Sequence, residues 1–213
     1  MLSRNKKPLL IGICGRSGAG KTFLLDLLRS RLGEQICILS QDHYYRPLET
    51  QQKDALGQVN FDLPSAIDEA RFVRDLEGLL EGNAIELREY TFNNPALVPR
   101  TIHLAPAPVI VVEGLFVFHF ERIRRMLSLK VFIDTDENTA LERRLERDLR
   151  ERAYPAELIR YQWTNHVQPA YRQFVLPHKE SADLVIRNNA AETPALEPLL
   201  EWVSSRLNPG KRR

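Results

Sequence analysis

Apolar residues fall into two kinds of run along the chain. Short continuous stretches, Leu9 to Cys14, Ile36 to Leu39, Val109 to Val112, Val131 to Ile133 and Leu184 to Ile186, lack polar alternation. Runs of that kind fit strands covered on both faces, as in a parallel sheet. Between them the apolar spacing changes to three and four. Thr22 to Leu32 sets Leu24, Leu25, Leu28 and Leu32 on one helical stripe, and Gly33 supplies the stop. Ser65 to Leu80 predicts a helix opened by a capping box at Ser65, with Ile67, Phe72, Leu76 and Leu79 on its stripe. Asp136 to Arg152 predicts a charged helix capped by Asp136 that keeps Leu141, Leu145 and Leu149 in line. Leu196 to Leu207 predicts a terminal helix, and residues 208–213 read as a frayed tail. Strands alternating with helices predict an α/β fold, a five-stranded parallel sheet flanked by helices in one domain over residues 1–213.

Residues 41–104 break the alternation, because they are too many for an ordinary crossover between two core strands. Within them Ala84 to Tyr90 and Thr101 to Leu104 pair as a small hairpin around Asn93-Asn94-Pro95. Insertions of this size carry function, so acceptor recognition is expected there.

Composition narrows the class. Hydrophobic residues make up 43% and charged residues 27%, which excludes a disordered chain. The two cysteines, Cys14 and Cys37, cannot form a disulfide framework and point to a reducing compartment. No apolar run spans a bilayer, and Met1 to Lys7 lacks the apolar core of a signal peptide. A cytoplasmic protein without membrane contact is expected. A net charge of +2 from 30 basic and 28 acidic residues is too balanced for a duplex nucleic-acid binder. His43 and His119 have no metal-ligand spacing, so zinc is unsupported.

The strongest chemical signal is Gly15-Arg16-Ser17-Gly18-Ala19-Gly20-Lys21-Thr22, a full G-x-x-x-x-G-K-[ST] phosphate loop between a strand and a helix. Its glycines let the backbone wrap and aim N–H groups at phosphates, with the helix dipole behind them. Lys21 is expected on the outer phosphates and Thr22 on Mg²⁺. The motif implies a nucleoside triphosphate. No Asn-Lys-x-Asp follows a core strand, so a guanine-reading GTPase is disfavoured. Cys14, in the strand before the loop, reads as a buried thiol.

Two acids fall at strand ends, where ligands of open α/β sheets bind. Asp42 follows the second strand and Glu113 the third. Either can cap a helix; the favoured roles are a base at Asp42 and a magnesium ligand at Glu113. The helix with Arg143, Arg144, Arg147, Arg150 and Arg152 reads equally as a solvated face or as a lid interrupted at Ala153-Tyr154-Pro155.

With these residues assembled, the chain resembles the uridine (uridine–cytidine) kinase family, close to the phosphoribulokinase-like P-loop kinases. The resemblance spans Pro8 to Asn188. It rests on the phosphate loop, Leu39-Ser-Gln-Asp42-His-Tyr-Tyr45, Val59-Asn-Phe61-Asp62-Leu-Pro64, Val111-Val-Glu113-Gly and Phe132-Ile-Asp-Thr-Asp136. The block Arg143-Arg144-x-x-Arg147-Asp148-x-x-Glu151-Arg152 and the run from Gln162 to Pro177 extend it. The resemblance implies an ATP- and Mg²⁺-dependent kinase acting on the 5′-hydroxyl of a ribonucleoside, with uridine or cytidine leading. It implies Asp42 as the base, with Lys21 and Arg147 also catalytic, and Asp62 on the ribose hydroxyls. Tyr45, Phe61 and Tyr90 would line the nucleoside pocket. Arg144, Arg147 and Gln162 would belong to a lid over about 143–162, and Thr22 and Glu113 would hold magnesium. Family members often form tetramers, so a homo-oligomer is compatible with the resemblance. Two departures stand out. The run Tyr90 to Arg100 has no histidine where the family reads the pyrimidine edge, leaving Asn93 and Asn94 as base contacts or plain turn residues. A second lid arginine expected near Ala153-Tyr154 is also missing. Another acceptor such as nicotinamide riboside, or a catalytically weak nucleotide-binding regulator, therefore stands beside the leading reading.

Overall fold

In the computed structural model the described residues are 7–92, 94, 96–189 and 196–207. The terminal tail, Asn93 and Pro95 lie outside them. All five continuous apolar runs are strands of one parallel sheet: β1 (Leu9–Gly15), β2 (Ile36–Ser40), β5 (Val109–Gly114), β6 (Leu129–Asp134) and β7 (Leu184–Arg187). Their order is β2-β5-β1-β6-β7, with β1 in the middle. A central β1 is buried on both faces, which is why its sequence carries no alternation.

Side chains of β1 divide between two cores. Leu10 and Cys14 join a cluster with Phe72, Leu76, Val112 and Phe132. Ile11 and Ile13 join Leu24, Leu28, Val111, Val131 and Val203 on the other face. Each such aliphatic or aromatic side chain contributes about 1.5–3 kcal/mol by leaving water. Helix α1 (Lys21–Leu32) supplies Leu24, Leu25 and Leu28 to the second core, and Gly33, with φ 53°, ends it by donating to the Arg29 carbonyl. Helix α7 (Glu197–Leu207) packs Leu199 and Val203 beside it.

Helix α2 (Glu69–Leu80) begins later than the stripe predicts. Pro64–Ala66 forms a separate 3-10 turn, Ile67 is extended, and Asp68 rather than Ser65 caps the helix by accepting from the Arg71 N–H. The physical reason is that Pro64 starts its own turn, leaving the stronger acceptor at 68 as the cap. The hairpin is present as β3 (Ile85–Arg88) and β4 (Thr101–Leu104), with Ile85 opposite Leu104 and Arg88 opposite Thr101. A short helix absent from the apolar pattern, α3 (Glu121–Met126), sits between β5 and β6.

Helix α4 (Glu137–Glu151) is capped by Asp136, which accepts from Thr139 at 2.9 Å. The leucine line is not its inner face. Ala140, Arg144 and Asp148 are buried, whereas Leu149 is 49% exposed. A charged stripe turns inward here because Arg144 and Asp148 face each other as an ion pair at 3.2 Å. After a break at Arg152 to Pro155, α5 (Ala156–Gln162) continues through π-helical turns Trp163–Val167 and Tyr171–Val175, separated by the short α6 (Gln168–Ala170). Pro169 has no N–H for the carbonyl of Asn165 and crowds it, and a widened turn relieves the clash.

Candidate active site

The phosphate loop joins β1 to α1. Gly18 and Gly20 have φ of 79° and 88°, left-handed values that favour glycine. A Cβ on Gly18 would lie 2.1 Å from the Ala140 carbonyl oxygen, and one on Gly20 would lie 2.2 Å from Asn188 Nδ2. The loop is thus clamped from behind. Asn188 Nδ2 and Thr135 Oγ1 donate to the Ala19 carbonyl at 2.7 and 3.2 Å. Lys21 Nζ curls over the loop toward the carbonyls of Gly15 (3.3 Å) and Arg16 (3.4 Å). Thr22 is exposed on the first turn of α1. Cys14 is fully buried, and burial pushes its thiol up to about 12, which suits a packing role.

The strand-end acids are linked through one hydroxyl. Ser40, opposite Glu113 in the β2–β5 register, donates to Glu113 and accepts from the Asp42 N–H at 3.2 Å. Gln41 pins the turn that carries Asp42, its buried Oε1 accepting from Phe116 N at 2.8 Å. Burial raises the pKa of Glu113, the Asp42 charge raises it further, and Lys21 opposes both. A buried carboxyl beside a second carboxylate, at the mouth of a phosphate loop, is the oxygen-rich environment that suits a hard divalent cation.

Tyr45, Phe61, Asp62, Tyr90, Arg144 and Gln162 line one cleft with about 70 Å³ of room for the centres of water molecules, and Asp42, Lys21 and Arg147 line the same cleft. The hydrophobic wall is a packed aromatic group. Tyr45 lies 4.9 Å from Tyr90 and 5.8 Å, edge-on, from Phe61, and Tyr90 lies 5.1 Å from Phe92. Burial, and then the charges of Asp42 and Asp62, raise the Tyr45 hydroxyl well above its ordinary value. His43 accepts from the Tyr90 N–H through Nδ1 at 3.4 Å and so supports the wall without lining it.

The opposite wall is cationic and is organised by Asp148, which is fully buried. Arg147 reaches its Oδ1 with Nε and Nη2, both at 2.8 Å. Arg152 approaches the same oxygen at 3.3 Å and Arg144 approaches Oδ2 at 3.2 Å. Arg144 also donates to Ser17 Oγ (3.0 Å) and Gln162 Oε1 (3.3 Å), and faces Asp62 at 3.9 Å. Arg152 stacks on Phe92 at 3.6 Å, and Tyr154 donates to the Phe92 carbonyl at 3.1 Å. Burial, then the neighbouring Arg147, lowers the Arg152 pKa. The turn between the helices places Ala153 at φ 56°. Asn94 does not line the cleft; it donates to the Glu151 carbonyl at 3.0 Å and accepts from Ala96 N.

Phe92, Asp148 and Tyr154 therefore belong to the site, although the motifs assigned them no role, and Arg152, read only as one arginine of a solvated face or lid, joins them. For Asp148 a signal was legible: arginines four residues before and after it. A further contact fastens the helical arm to the insertion over residues 41–104. Asp54 Oδ2 takes the Tyr161 hydroxyl at 2.6 Å and lies 2.7 Å from His166 Nε2.

Comparison with known proteins agrees with this architecture. A phosphoribulokinase from Rhodobacter spheroides shares the fold, with a TM-score of 0.63 and 17% identity over 88% of this chain and 72% of that one. "Uridine-cytidine kinase B" of Dictyostelium discoideum is 34% identical over 207 residues, 97% of this chain and 85% of the relative. "Uridine kinase" of Lactobacillus helveticus is 35% identical, covering 98% of this chain and all of the relative. The model of the family described as "Phosphoribulokinase / Uridine kinase family" matches residues 10–193. With a phosphate loop, strand-end acids and a cationic arm set around one cleft, this chain belongs to the Phosphoribulokinase / Uridine kinase family and is a kinase with the P-loop fold.

Proposed function

We propose that this kinase transfers a phosphoryl group from ATP, with Mg²⁺, to the 5′-hydroxyl of a ribonucleoside, and that uridine and cytidine lead as acceptors. The observation that carries this reading is the convergence of Lys21, Asp42 and Asp62 on one aromatic-walled cleft. Catalysis of this kind is mainly positioning and charge stabilisation. The loop N–H groups and Lys21 hold the outer phosphates. Arg147, with Arg144 beside it, meets the charge that develops on the transferred group. Asp42 accepts the proton of the attacking hydroxyl. Asp62 accepts from the vicinal ribose hydroxyls, Gln162 holds Arg144 toward them, and Tyr45, Phe61 and Tyr90 enclose the base. Thr22 and Glu113 would hold the magnesium ion, which when bound neutralises charge on the outer phosphates. The helices around residues 143–162 act as a lid. Among the described residues no helix is long and apolar enough to cross a membrane, and Cys14 and Cys37 are free thiols, which supports work in the cytoplasm.

One observation favours testing a second acceptor. Among the described residues that line the cleft there is no histidine, while Arg152 and Tyr154 add polar groups to it, so a riboside with a different base, such as nicotinamide riboside, meets the same ribose contacts. A purely regulatory nucleotide binder has no use for a hydroxyl base at Asp42. ADP release with ATP·Mg²⁺ against uridine, cytidine, adenosine, guanosine, nicotinamide riboside and a no-acceptor blank separates these readings. Uridine- or cytidine-stimulated turnover is expected, lowered more than about a hundredfold in kcat by Asp42→Asn with ATP affinity little changed. Stimulation by another riboside alone moves the substrate. Turnover near the wild-type rate in the variant removes the base assignment.

A further inference from the structure

Tyr161 and His166 are five residues apart in the chain. Around an α-helix that separation would turn them about 140° from each other. The widened turn Trp163–Val167 removes the divergence. Their rings meet edge to face with centroids 5.7 Å apart, and both reach one oxygen, Asp54 Oδ2. An ionised carboxylate only accepts, so the Tyr161 hydroxyl and His166 Nε2 both donate to it. His166 is 2% exposed, which makes the arm's half of this contact part of its interior.

The other oxygen of Asp54 serves a different element. Asp54 Oδ1 takes the N–H groups of Leu56 and Gln58, each at 2.9 Å, and so shapes the turn closed by the Lys53–Val59 bridge. Four donors in all fill the lone-pair sites of this carboxylate. Little apolar burial holds the turn. Gln51 anchors its base by donating to the Arg46 and Ala66 carbonyls, but Leu56 at its tip is 73% exposed. A segment of that kind keeps its place through its hydrogen bonds. The arm has holds of its own, with Arg144 on Ser17 and with Trp163 and Val167 packed beside Ala140. Val59, Phe61 and Asp62, at the end of the turn and just beyond it, line the cleft; Gln162, next to Tyr161, lines it from the arm.

We infer that Asp54 is a positioning residue for the cleft: it ties the turn over residues 53–59 to the arm and thereby sets where Val59, Phe61 and Asp62 stand against Arg144 and Gln162. Asn60 carries the placement onward, its N–H on the Gln52 carbonyl and its Oδ1 accepting from the Asp62 N–H at 3.0 Å. Asp54, Tyr161 and His166 do not line the cleft, so they act on a bound molecule only through the wall they place. Loss of the tie is felt by the group held between the two walls and not by the nucleotide on the phosphate loop. That this group is the ribonucleoside rests on the function proposed above.

Cutting the tie from the arm side leaves the turn's own bonds to Asp54 Oδ1 in place. In the double variant Tyr161→Phe, His166→Phe, amide hydrogen exchange over residues 54–62 should quicken about tenfold or more, with exchange in the phosphate loop unchanged. KM for the ribonucleoside should rise about three- to tenfold, with KM for ATP unmoved and a smaller effect on kcat. Tyr161→Phe with His166→Gln keeps an N–H donor and should recover much of both effects. Should the double variant fail to fold, Tyr161→Phe alone removes one oxygen and should give the same pattern at smaller size. Unchanged exchange over 54–62 overturns the inference whatever the acceptor is. Faster exchange with an unmoved acceptor KM, or with both KM values rising in step, shows a fastening that only stabilises the fold, and overturns it too. Wild-type protein that turns over no ribonucleoside removes the acceptor reading, and exchange over 54–62 then decides the tie by itself.

Discussion

The phosphate loop takes its chemistry from residues 15–22, whereas the aromatic-walled cleft beside it draws its walls from segments as distant as Asp42, Tyr90, Arg147 and Gln162. Backbone does most of the work in the first region. Two left-handed glycines and a helix start shape it, and neighbouring strand ends clamp it through Asn188 and Thr135. Side chains do the work in the second, and they are held by other side chains, chiefly Asp148. The difference teaches that a site built from backbone tolerates change around it, while a site built on a buried ionic hub depends on each member of that hub.

The comparison breaks if the two regions fail together, and Lys21→Ala is the severest trial. Turnover should fall by about a thousandfold or more with every acceptor, since one charge-stabilising group is worth about that much. Acceptor binding measured by calorimetry should stay within a few-fold, and its loss would mean that the regions are not separable. Asp148→Asn comes next. Removing the charge that three arginines share should destabilise the fold by about 3 kcal/mol, visible in urea unfolding, and lower kcat by at least about tenfold. A variant as stable and active as wild type would show that the arginines hold themselves. Asp62→Ala should raise the acceptor KM about tenfold and leave the KM for ATP unchanged; an unchanged acceptor KM argues against its ribose role.

The smallest effect concerns the fastening of the arm. The Tyr161 hydroxyl, and with it His166, holds the Asp54 carboxyl down to about 2 from its ordinary 3.8. A depressed carboxyl stabilises the fold above its unfolded value and loses that contribution as pH falls. The melting temperature of wild type should therefore drop from pH 4 toward pH 2 more steeply than that of Asp54→Asn. Parallel curves would mean that the contact adds nothing.

The same division explains what the sequence revealed. The inner strands were legible because burial on both faces leaves unbroken apolar runs; the edge strand β7 keeps such a run although Val185 is 40% exposed, and the phosphate loop was legible because its residues are contiguous. Asp42 stood out by its place at a strand end and Arg144 by its arginine-rich helix, whereas Asp62 and Gln162 were singled out only through resemblance, since nothing in local spacing brings residue 62 beside residue 162. Leu141, Leu145 and Leu149 misled for an instructive reason. Apolar periodicity identifies the inner face of a helix only when no ionic stripe competes, and on α4 Arg144 and Asp148 do compete. The π-turns after Gln162 leave no apolar signature, because they depend on one proline and the backbone around it.

The close approach of Gly18 to the Ala140 carbonyl has a mechanical consequence. With no room for even one added carbon between them, the first turn of α4 is packed against the loop, which makes Ala140 the natural fulcrum for any tilt of the helix. From there to Glu151 the helix is a lever arm of about 16 Å at 1.5 Å per residue. A swing of about 20° carries the far end through about 6 Å while the fulcrum end barely moves. That far end is where Asn94 is tied to Glu151. A tilt about that contact would thus be small beside the phosphate loop and large at Glu151, to which Asn94 is tied.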